Sequence, residues 1–337
     1  MNADQANSPR TLGKAGTYEV WYVTASLPAE RRGFWIRYST FRPRPGLDLE
    51  PHCALWAFSF HHDDPSRNSA AKAVFPISAF SAASSGFDVQ IGASTLDSHG
   101  CRGAFETDTG EAHWDLRWHS LAAPFAFLEG PLARVASAHN IAANPALEIS
   151  GKLEVGGVEY RLDKTSGGQQ HTWGSRHALE WNWGYASGFG HDNGAWFDGV
   201  TTRVRSSLGR LMKGTSVGAH FREISFKQNH GLSVVRSPGA IDPNRWDLEI
   251  AKGGLILVAT VRPRPEDLIG VTYQDPQGGT RVCYHSEVAD LVLSIHKGTR
   301  SMSVESLPSI ALATHLAAAA FEYASESALA GLPPVLL

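Results

Sequence analysis

The segment Lys152-Leu-Glu-Val-Gly-Gly-Val-Glu-Tyr-Arg-Leu162 decides the fold class. Two runs of alternating apolar and polar residues flank Gly156-Gly157, and a glycine pair accepts the positive φ angles that a two-residue hairpin turn requires. Further glycine pairs at 253–254 and 278–279 also separate runs of β-forming residues. The chain is therefore predicted to be mostly β and antiparallel.

Period-2 patterns on both sides of this hairpin predict more strands. Residues 18–24 and 34–41 predict an early strand pair, and residues 55–61 predict a third strand. In the first of these, one face carries Tyr18, Val20 and Tyr22, and the other carries Glu19, Trp21 and Val23. In 113–119 the face predicted to be buried carries Trp114, Leu116 and Trp118.

Short repeats favour two similar β units in tandem. Trp-Asp-Leu occurs at 114–116 and again at 246–248, and Arg-Pro-Arg-Pro occurs at 42–45 and 262–265. The boundary is predicted near 175–180. The alanine-rich stretch 309–329 is compatible with a closing helix or with a final strand, and periodicity does not choose between them.

Composition narrows the class of partner. The net charge of −3 and the 19% of charged residues leave no surplus of Lys and Arg for neutralising phosphates, which argues against nucleic acid and anionic membranes. Because no signal peptide and no stretch of about 20 apolar residues is seen, a cytoplasmic protein without an integral membrane segment is expected. Cys53, Cys101 and Cys283 are far apart and are expected to be free, buried thiols.

The common catalytic motifs for nucleotide binding, zinc proteolysis and serine hydrolysis are missing from the sequence. Adjacent residues of a strand point to opposite faces, so the run His61-His62-Asp63-Asp64 would need a turn to chelate a metal. Pro65 and Asn68 indicate a solvated loop there instead. No metal site and no cofactor are predicted.

The segment 171–197 concentrates four of the ten tryptophans with three histidines and Glu180. On strands, His171 would share a face with Trp173, and Trp181 with Trp183, while Glu180 and Asn182 would share the opposite face. One interpretation is a pocket walled by indoles, in which burial raises the pKa of Glu180 and makes it a general acid. The alternative is an ordinary core in which the indoles fill the barrel interior and His171 bonds to a buried carbonyl.

Two other places carry groups suited to chemistry. Glu19 shares a predicted strand face with Trp21 and could act as an acid, or could form a structural ion pair with Arg37 of the neighbouring strand. Tyr284-His285-Ser286-Glu287 offers a hydroxyl, an imidazole and a carboxylate, but the sequence places no partner beside them.

Several of these segments resemble one family. YEVWY (18–22), GFWIRY (33–38), LWAFSF (55–60), GGQQHTWG (167–174), WNW (181–183) and CYHSEVADL (283–291) are similar to segments of the lipocalin-like (calycin) superfamily. That superfamily contains acyclic carotenoid hydratases (hydroxyneurosporene synthases), tocopherol cyclases and fungal Diels-Alderases. The resemblance covers roughly residues 18 to 325. It implies two calycin barrels in tandem, with an apolar substrate in the first barrel or at the junction.

The resemblance also implies which residues lie near the ligand, namely His171, Trp173 and the segment 180–182, with Glu19 and Trp21 on the inner face of the first barrel. One departure concerns the acid. The carotenoid hydratases rely on an aspartate in an aromatic-rich central motif, whereas the nearby positions here read Gln170-His171 and Glu180-Trp181. Which acid replaces that aspartate stays open.

Together these observations predict a fold of two tandem lipocalin-like antiparallel β-barrels with few helices, over residues 15–176 and 177–330. The predicted function is acid-assisted hydration, cyclisation or isomerisation of a large hydrophobic isoprenoid, polyene or polyketide. The predicted catalytic residues are Glu180, His171 and Glu19, and the predicted substrate-binding residues are Trp21, Arg37, Trp173, Trp181, Asn182, Trp183 and Tyr185.

Two alternatives remain open. A non-catalytic carrier of a lipid or pigment would use the same cavity, and a carbohydrate-active β protein would use aromatic rings to stack on sugars in an open groove with two carboxylates. The sequence does not indicate an oligomeric state.

Overall fold

The computed structural model describes residues 1–108, 110–205, 209–237, 239–299 and 301–336. Its strands form two antiparallel sheets. The strands of the first sheet are β1 Thr17–Leu27, β2 Arg32–Arg42, β3 His52–His61, β4 Ser69–Pro76, β5 Phe80–Ala82, β6 Asp88–Ile91, β7 Ser94–Asp97, β8 Gly100–Thr107, β9 Gly110–Ser120, β10 Phe125–Ala126, β11 Ala138–Val155 and β12 Val158–Gly174.

The second sheet follows in the chain. Its strands are β13 Glu180–Ser187, β14 Trp196–Arg205, β15 Leu211–Phe221, β16 Ile224–Gln228, β17 Trp246–Lys252, β18 Leu255–Arg262, β19 Ile269–Gln274, β20 Thr280–Lys297 and β21 Ser309–Ser325. The α-helices of the described residues are short, α1 Ala3–Asn7 and α2 Gly231–Val235, and single 3₁₀ turns lie at Pro65–Arg67, Ile77–Ala79, Pro131–Val135, Pro265–Asp267 and Val304–Ser306.

The predicted fold class is confirmed. The first sheet has the order β4-β3-β2-β1-β12-β11-β9-β8-β7-β6-β5, and β4 also contacts β8 and β9, so this sheet curls into a nearly closed barrel. The second has the order β16-β15-β14-β13-β21-β20-β18-β17. The connection 175–179 joins the sheets, and the division into two domains at 176/177 stays a prediction.

The hairpin at 152–162 forms as the sequence indicates. Val155 pairs with Val158, and Gly156 and Gly157 adopt φ angles of 57° and 74° between them. Most of the stretch that the sequence left open, 309–329, forms the strand β21, in which alternate residues Ala311 and Ala313 are buried. In the described residues, no helix has the length and apolar character needed to cross a membrane.

Strands β1, β2 and β3 are buried on both faces, and this positions the candidate site. One face of β1 places Trp21 and Val23 in the core of the first barrel, as predicted. The other face places Tyr18, Val20 and Tyr22 in a second core that both sheets share. We call this second core the junction; its members from the second sheet include Trp183, Tyr185, Tyr273, Cys283 and Val288.

A glycine permits the close approach of the two sheets. A Cβ atom on Gly33 of β2 would lie 2.6 Å from Glu287 Cβ and 2.8 Å from the Glu287 carbonyl oxygen on β20. Real Cβ contacts are longer, so a side chain at residue 33 would push the sheets apart.

We expect Gly33→Ala to lower the free energy of unfolding by about 1–3 kcal/mol, the usual cost of overpacking a tight core. Urea unfolding followed by tryptophan fluorescence would measure it. Gly194→Ala is the matched control, because its Cβ would meet only Asp192 Oδ1 at 3.4 Å. Equal stability of the two variants would contradict this account of the junction.

Candidate active site at the junction of the two sheets

Two residues that the sequence indicated separately, Glu19 and His171, form a pair at one end of the first barrel. The register of β1 against β12 brings the two side chains together, and His171 Nε2 lies 2.9 Å from Glu19 Oε1. Both side chains are buried. Trp21 stacks on the imidazole at 4.9 Å between ring centroids, and Trp173 lies at 4.7 Å.

The N-terminal segment takes up the remaining polar atoms of this group. His171 Nδ1 lies 2.7 Å from the carbonyl oxygen of Ala6, and Trp21 Nε1 donates to the carbonyl oxygen of Asn7 at 2.8 Å. Glu19 accepts hydrogen bonds from the backbone N–H groups of Arg10 and Thr11 and from the Thr11 hydroxyl. This group therefore holds residues 6–11 against the barrel end.

Hydrogen bonding determines the ionisation of Glu19. Burial alone would raise its pKa, but the bond to His171 and the bonds from Thr11 and Arg10 outweigh burial and hold the pKa below its ordinary value. The carboxylate is thus kept ionised, as an acceptor for the N-terminal segment.

The Glu19–Arg37 pair considered from the sequence does not form. Arg37 pairs in register with Tyr22, whereas Glu19 pairs with Thr40, so the two side chains project from opposite faces of the sheet. Arg37 instead enters the junction. The one-residue offset in register is what decides the face.

Three residues of the segment 180–185 form polar contacts with separate parts of the molecule. Glu180 is 18% exposed, pairs with Arg203 at 2.9 Å and accepts from the Tyr323 hydroxyl at 3.2 Å. Asn182 is buried and bonds to the backbone N–H and carbonyl of Asp242, which anchors the loop before β17. The Tyr185 hydroxyl crosses to the first sheet and donates to the Pro145 carbonyl at 3.0 Å.

The two remaining indoles of this segment each donate to a carboxyl group, one half-buried and one fully buried. Trp181 Nε1 donates to Glu322 Oε2 and Trp183 Nε1 to Asp198 Oδ1, both at 2.9 Å. Most of the residues predicted from sequence thus fall into two groups. Trp21, His171 and Trp173 lie at the barrel end with Glu19, and Trp181, Trp183 and Tyr185 lie at the junction with Arg37. Glu180 and Asn182 project from the opposite face of β13 and belong to neither group.

A hydrogen-bonded chain of ionisable groups runs through the junction. His285 Nε2 lies 2.9 Å from Glu287 Oε1 and its Nδ1 lies 3.1 Å from Glu322 Oε1. The Tyr273 hydroxyl donates to Glu322 Oε1 at 3.5 Å, and the Thr24 hydroxyl donates to Glu287 Oε2 from the first sheet. We call Tyr273, Glu322, His285, Glu287 and Thr24 the junction network.

The two carboxylates keep the imidazole of His285 charged. Burial alone would lower its pKa, but the hydrogen bonds and charges of Glu287 and Glu322 raise the pKa of His285 to about 9. Burial would also raise the pKa of Glu322, yet His285 outweighs burial and lowers it. At Glu287 burial prevails and the pKa is raised. An imidazolium is thus available as a proton source at neutral pH.

A third buried acid, Asp198 on β14, lies in the same region. Its oxygens accept from Gln170 Nε2 at 2.7 Å and from Trp183 Nε1 at 2.9 Å. Burial raises the pKa of Asp198 well above its usual range, against the opposing effect of these two bonds. Burial thus disfavours the ionised form of this carboxyl group.

A cleft of about 40 Å³ opens beside the junction network. Its lining comes from both sheets: Tyr18, Arg37, Ser39, Thr40, Phe41, His52, Ala54, Trp56, Lys72, His177, Thr272, Tyr273 and Gln274. A second cleft of about 490 Å³ lies at the surface and is lined by polar residues such as Arg176, Asp275 and Arg281. Only the smaller cleft includes a member of the junction network, namely Tyr273.

Metal binding receives no support from the described residues, among which no group of three His, Cys, Asp or Glu side chains is placed to hold an ion. In the run 61–64, His62 instead pairs with Asp267 at 3.0 Å and Asp63 with Arg31 at 3.3 Å.

Two Mycobacterium tuberculosis proteins, described as uncharacterized proteins MT0513 (strain CDC 1551 / Oshkosh) and Rv0493c (strain H37Rv), are each 30% identical to this chain over 308 residues. The alignments cover 88% of this chain and 86% of each relative. The chain belongs to their family. No family model matches the chain.

Two solved structures share the fold of this chain. Kievitone hydratase from Nectria haematococca is 12% identical, with a TM-score of 0.53 and coverage of 97% of this chain and 93% of that one. An AttH candidate from Nitrosomonas europaea is also 12% identical, with a TM-score of 0.50 and coverage of 92% and 93%. At this identity the likeness shows a shared fold.

Sequence reasoning missed Glu322, Tyr273 and Asp198. His285 and Glu287 are two residues apart and share a strand face, so their pairing follows from period 2 alone. Glu322 joins them because β21 pairs with β20 in the register that sets His285 opposite Glu322. That register is not visible in the sequence. Asp198 could have been found, because it follows directly on the aromatic pair Trp196-Phe197.

The raised pKa of His285 has a consequence for stability. A histidine whose folded-state pKa exceeds 6.5 stabilises the fold fully below pH 6.5 and loses that contribution as the pH rises towards 9. We expect the contribution of His285 to the free energy of unfolding to fall by about 3 kcal/mol over this range, since each pKa unit corresponds to about 1.4 kcal/mol.

Urea unfolding of the wild type and of His285→Gln at pH 6.5 and pH 9 would measure this difference. The variant should lack the fall that His285 contributes, because residue 285 no longer titrates. Lys72, whose pKa burial and Arg37 lower to about 8, titrates in both proteins and cancels in the comparison. A wild type and a variant with parallel pH profiles would disprove the charged state of His285.

Proposed function

We propose that this protein is a hydratase-type enzyme that acts on a large hydrophobic isoprenoid, polyene or polyketide at the junction of its two sheets. One observation carries the proposal. Tyr273 lines the cleft and also donates its hydroxyl to Glu322, the first member of a buried chain that leads to His285. A substrate in the cleft would thus meet a group that is connected to a proton source.

The chemistry begins with protonation of a substrate double bond. A proton that leaves the Tyr273 hydroxyl is replaced from Glu322, which takes one from the imidazolium of His285. Burial, Cys283 and Glu322 raise the pKa of Tyr273 well above its ordinary value, so the phenolate is never left free and the transfers are concerted. Water that adds to the resulting cation releases a proton, which restores the network.

Aromatic rings at the junction suit a cationic intermediate. Trp35 lies 5.0 Å from the His285 ring and Trp183 lies 6.2 Å from it, while Trp181 stacks on Tyr273 at 6.3 Å. Each indole face would stabilise a developing carbocation by about 1–2 kcal/mol when water is excluded. Loss of a proton from the cation, or attack by a second double bond, would give isomerisation or cyclisation instead of hydration.

The comparison with kievitone hydratase supports the reaction class, because a protein named as a hydratase has the same fold across nearly the whole chain. Proton donation by Glu180, His171 or Glu19 stays a prediction. We assign the transfer to the junction network instead, because Glu180 is bound to Arg203 and the other two are bound to the N-terminal segment.

Tyr273→Phe tests the proposal, because it removes the hydroxyl and keeps the ring. The protein, purified from its own host, would first be analysed by native mass spectrometry for a co-purifying apolar molecule. That molecule and a panel of acyclic polyenes and prenylated phenols would then be incubated with the enzyme in D₂O. We expect a product that carries carbon-bound deuterium, and a turnover lowered about 10²–10⁴-fold in Tyr273→Phe, the usual contribution of general acid catalysis.

Glu322→Gln should give a similar loss, and Glu249→Gln, at an exposed position of β17, should have none. Loss of turnover in Glu180→Gln or Glu19→Gln, with full activity in Tyr273→Phe, would move the acid away from the junction. Ligand binding that survives every substitution, with no deuterated product from any substrate, would identify a non-catalytic carrier.

A further inference from the structure

Arg37 occupies an unusual position in the junction cleft. It extends from β2, is only 8% exposed, and its guanidinium carbon lies 4.5 Å from the ring centroid of Tyr273 and 5.0 Å from that of Trp56. The ring centroid of Trp35, two residues earlier on the same face of β2, lies 5.7 Å from the same guanidinium carbon. Three aromatic faces thus surround one buried positive charge.

Three N–H groups of this cluster have no acceptor. Arg37 Nε, Trp35 Nε1 and Trp56 Nε1 are each buried without a hydrogen-bond partner. None of the ion pairs among the described residues includes Arg37. A buried donor that lacks an acceptor costs about 1–3 kcal/mol. Two of these three donors, Arg37 Nε and Trp56 Nε1, belong to residues that line the cleft, which indicates that an acceptor is bound there in the working protein.

No neighbouring carboxylate of the protein fills that role. Glu322 is near enough for the charge of Arg37 to lower its pKa, but its oxygens are bound to His285, Trp181 and Tyr273. His177, which also lines the cleft, supplies no anion either. Burial and the charges of Arg37 and Arg281 lower the pKa of His177 to about 3, so its imidazole is neutral.

A second cation adds to the positive potential of the cleft. The Lys72 ammonium lies 4.2 Å from the Trp56 ring centroid, on the same cleft lining as Arg37. The cleft volume of about 40 Å³ corresponds to about three water positions, at roughly 10–15 Å³ each. A carboxylate, with three heavy atoms in one plane, matches this volume and the planar fork of a guanidinium.

We propose that the junction cleft binds the carboxylate head of an amphipathic acid, with Arg37 as the principal ligand and the indole N–H of Trp56 as an additional donor. This inference rests on the proposed function, since it assigns the substrate class for the same site: an isoprenoid or polyketide acid. The aromatic walls contact the first carbons of the chain, and the head group fixes which double bond faces Tyr273.

Decanoate and 1-decanol form a matched pair of probes, because they share the apolar chain and differ in the head group. Isothermal titration calorimetry should show that decanoate binds the wild type at least about tenfold more tightly than decanol, as expected for a charge-assisted hydrogen bond. Arg37→Met should remove this preference and leave decanol affinity unchanged. Equal affinities of the two probes for the wild type would overturn the proposal.

Trp56→Phe keeps the ring and removes one donor, so it should reduce decanoate affinity by a smaller factor than Arg37→Met. It also serves as the test if Arg37→Met does not fold. Arg102→Met is the control, because Arg102 is exposed and pairs with Asp115 elsewhere on the first sheet. A preference for decanoate that persists in both Arg37→Met and Trp56→Phe would exclude the cleft as the carboxylate site.

Binding and turnover separate the two proposals. A product from neutral polyenes, without a preference for decanoate, would refute the carboxylate subsite and leave the hydratase proposal intact. A preference for decanoate that depends on Arg37, with no deuterated product from any substrate, would establish the subsite and refute the enzyme.

Discussion

The structure depends on the burial of charge between its two sheets. An imidazolium, two carboxyl groups and a guanidinium lie in one aromatic core, where each would be unstable alone. Removal of ions from water is costly, and a buried ion pair seldom exceeds the stability of an apolar replacement. Removal of one partner from such a group is strongly destabilising, because it leaves another buried charge uncompensated, so each member of the group depends on the others.

The junction also explains why the first three strands carry so few polar residues. Each has one face in the barrel and the other against the second sheet, so alternation of apolar with polar residues is replaced by alternation between two cores. Arg37 and Glu19 are the buried arginine and carboxylate of these strands, one on each face. Arg37 enters an aromatic cage at the junction, and Glu19 binds the N-terminal segment at the barrel end.

Much of the fold could be predicted from the sequence, because hairpin turns and period-2 patterns are local. The glycine pairs at 156–157, 253–254 and 278–279 all lie in hairpin connections. The candidate site could be predicted only in part. His171 and Trp173 share a face by local geometry, but Glu322 meets His285 only through the pairing of β20 with β21, and Arg37 turns away from Glu19 through a one-residue register that no local pattern specifies.

The pairing of β1 with β12 has a consequence for the order of folding. Trp21 lies opposite His171, about 150 residues later in the chain, so β1 has no partner on that side until β12 has been synthesised. Pairings between distant parts of a chain form slowly, and an unpaired strand edge rich in aromatic side chains favours aggregation. During synthesis, the emerging hairpin β1–β2 would expose Trp21, Tyr22 and Trp35 together until the strands that cover them have been made.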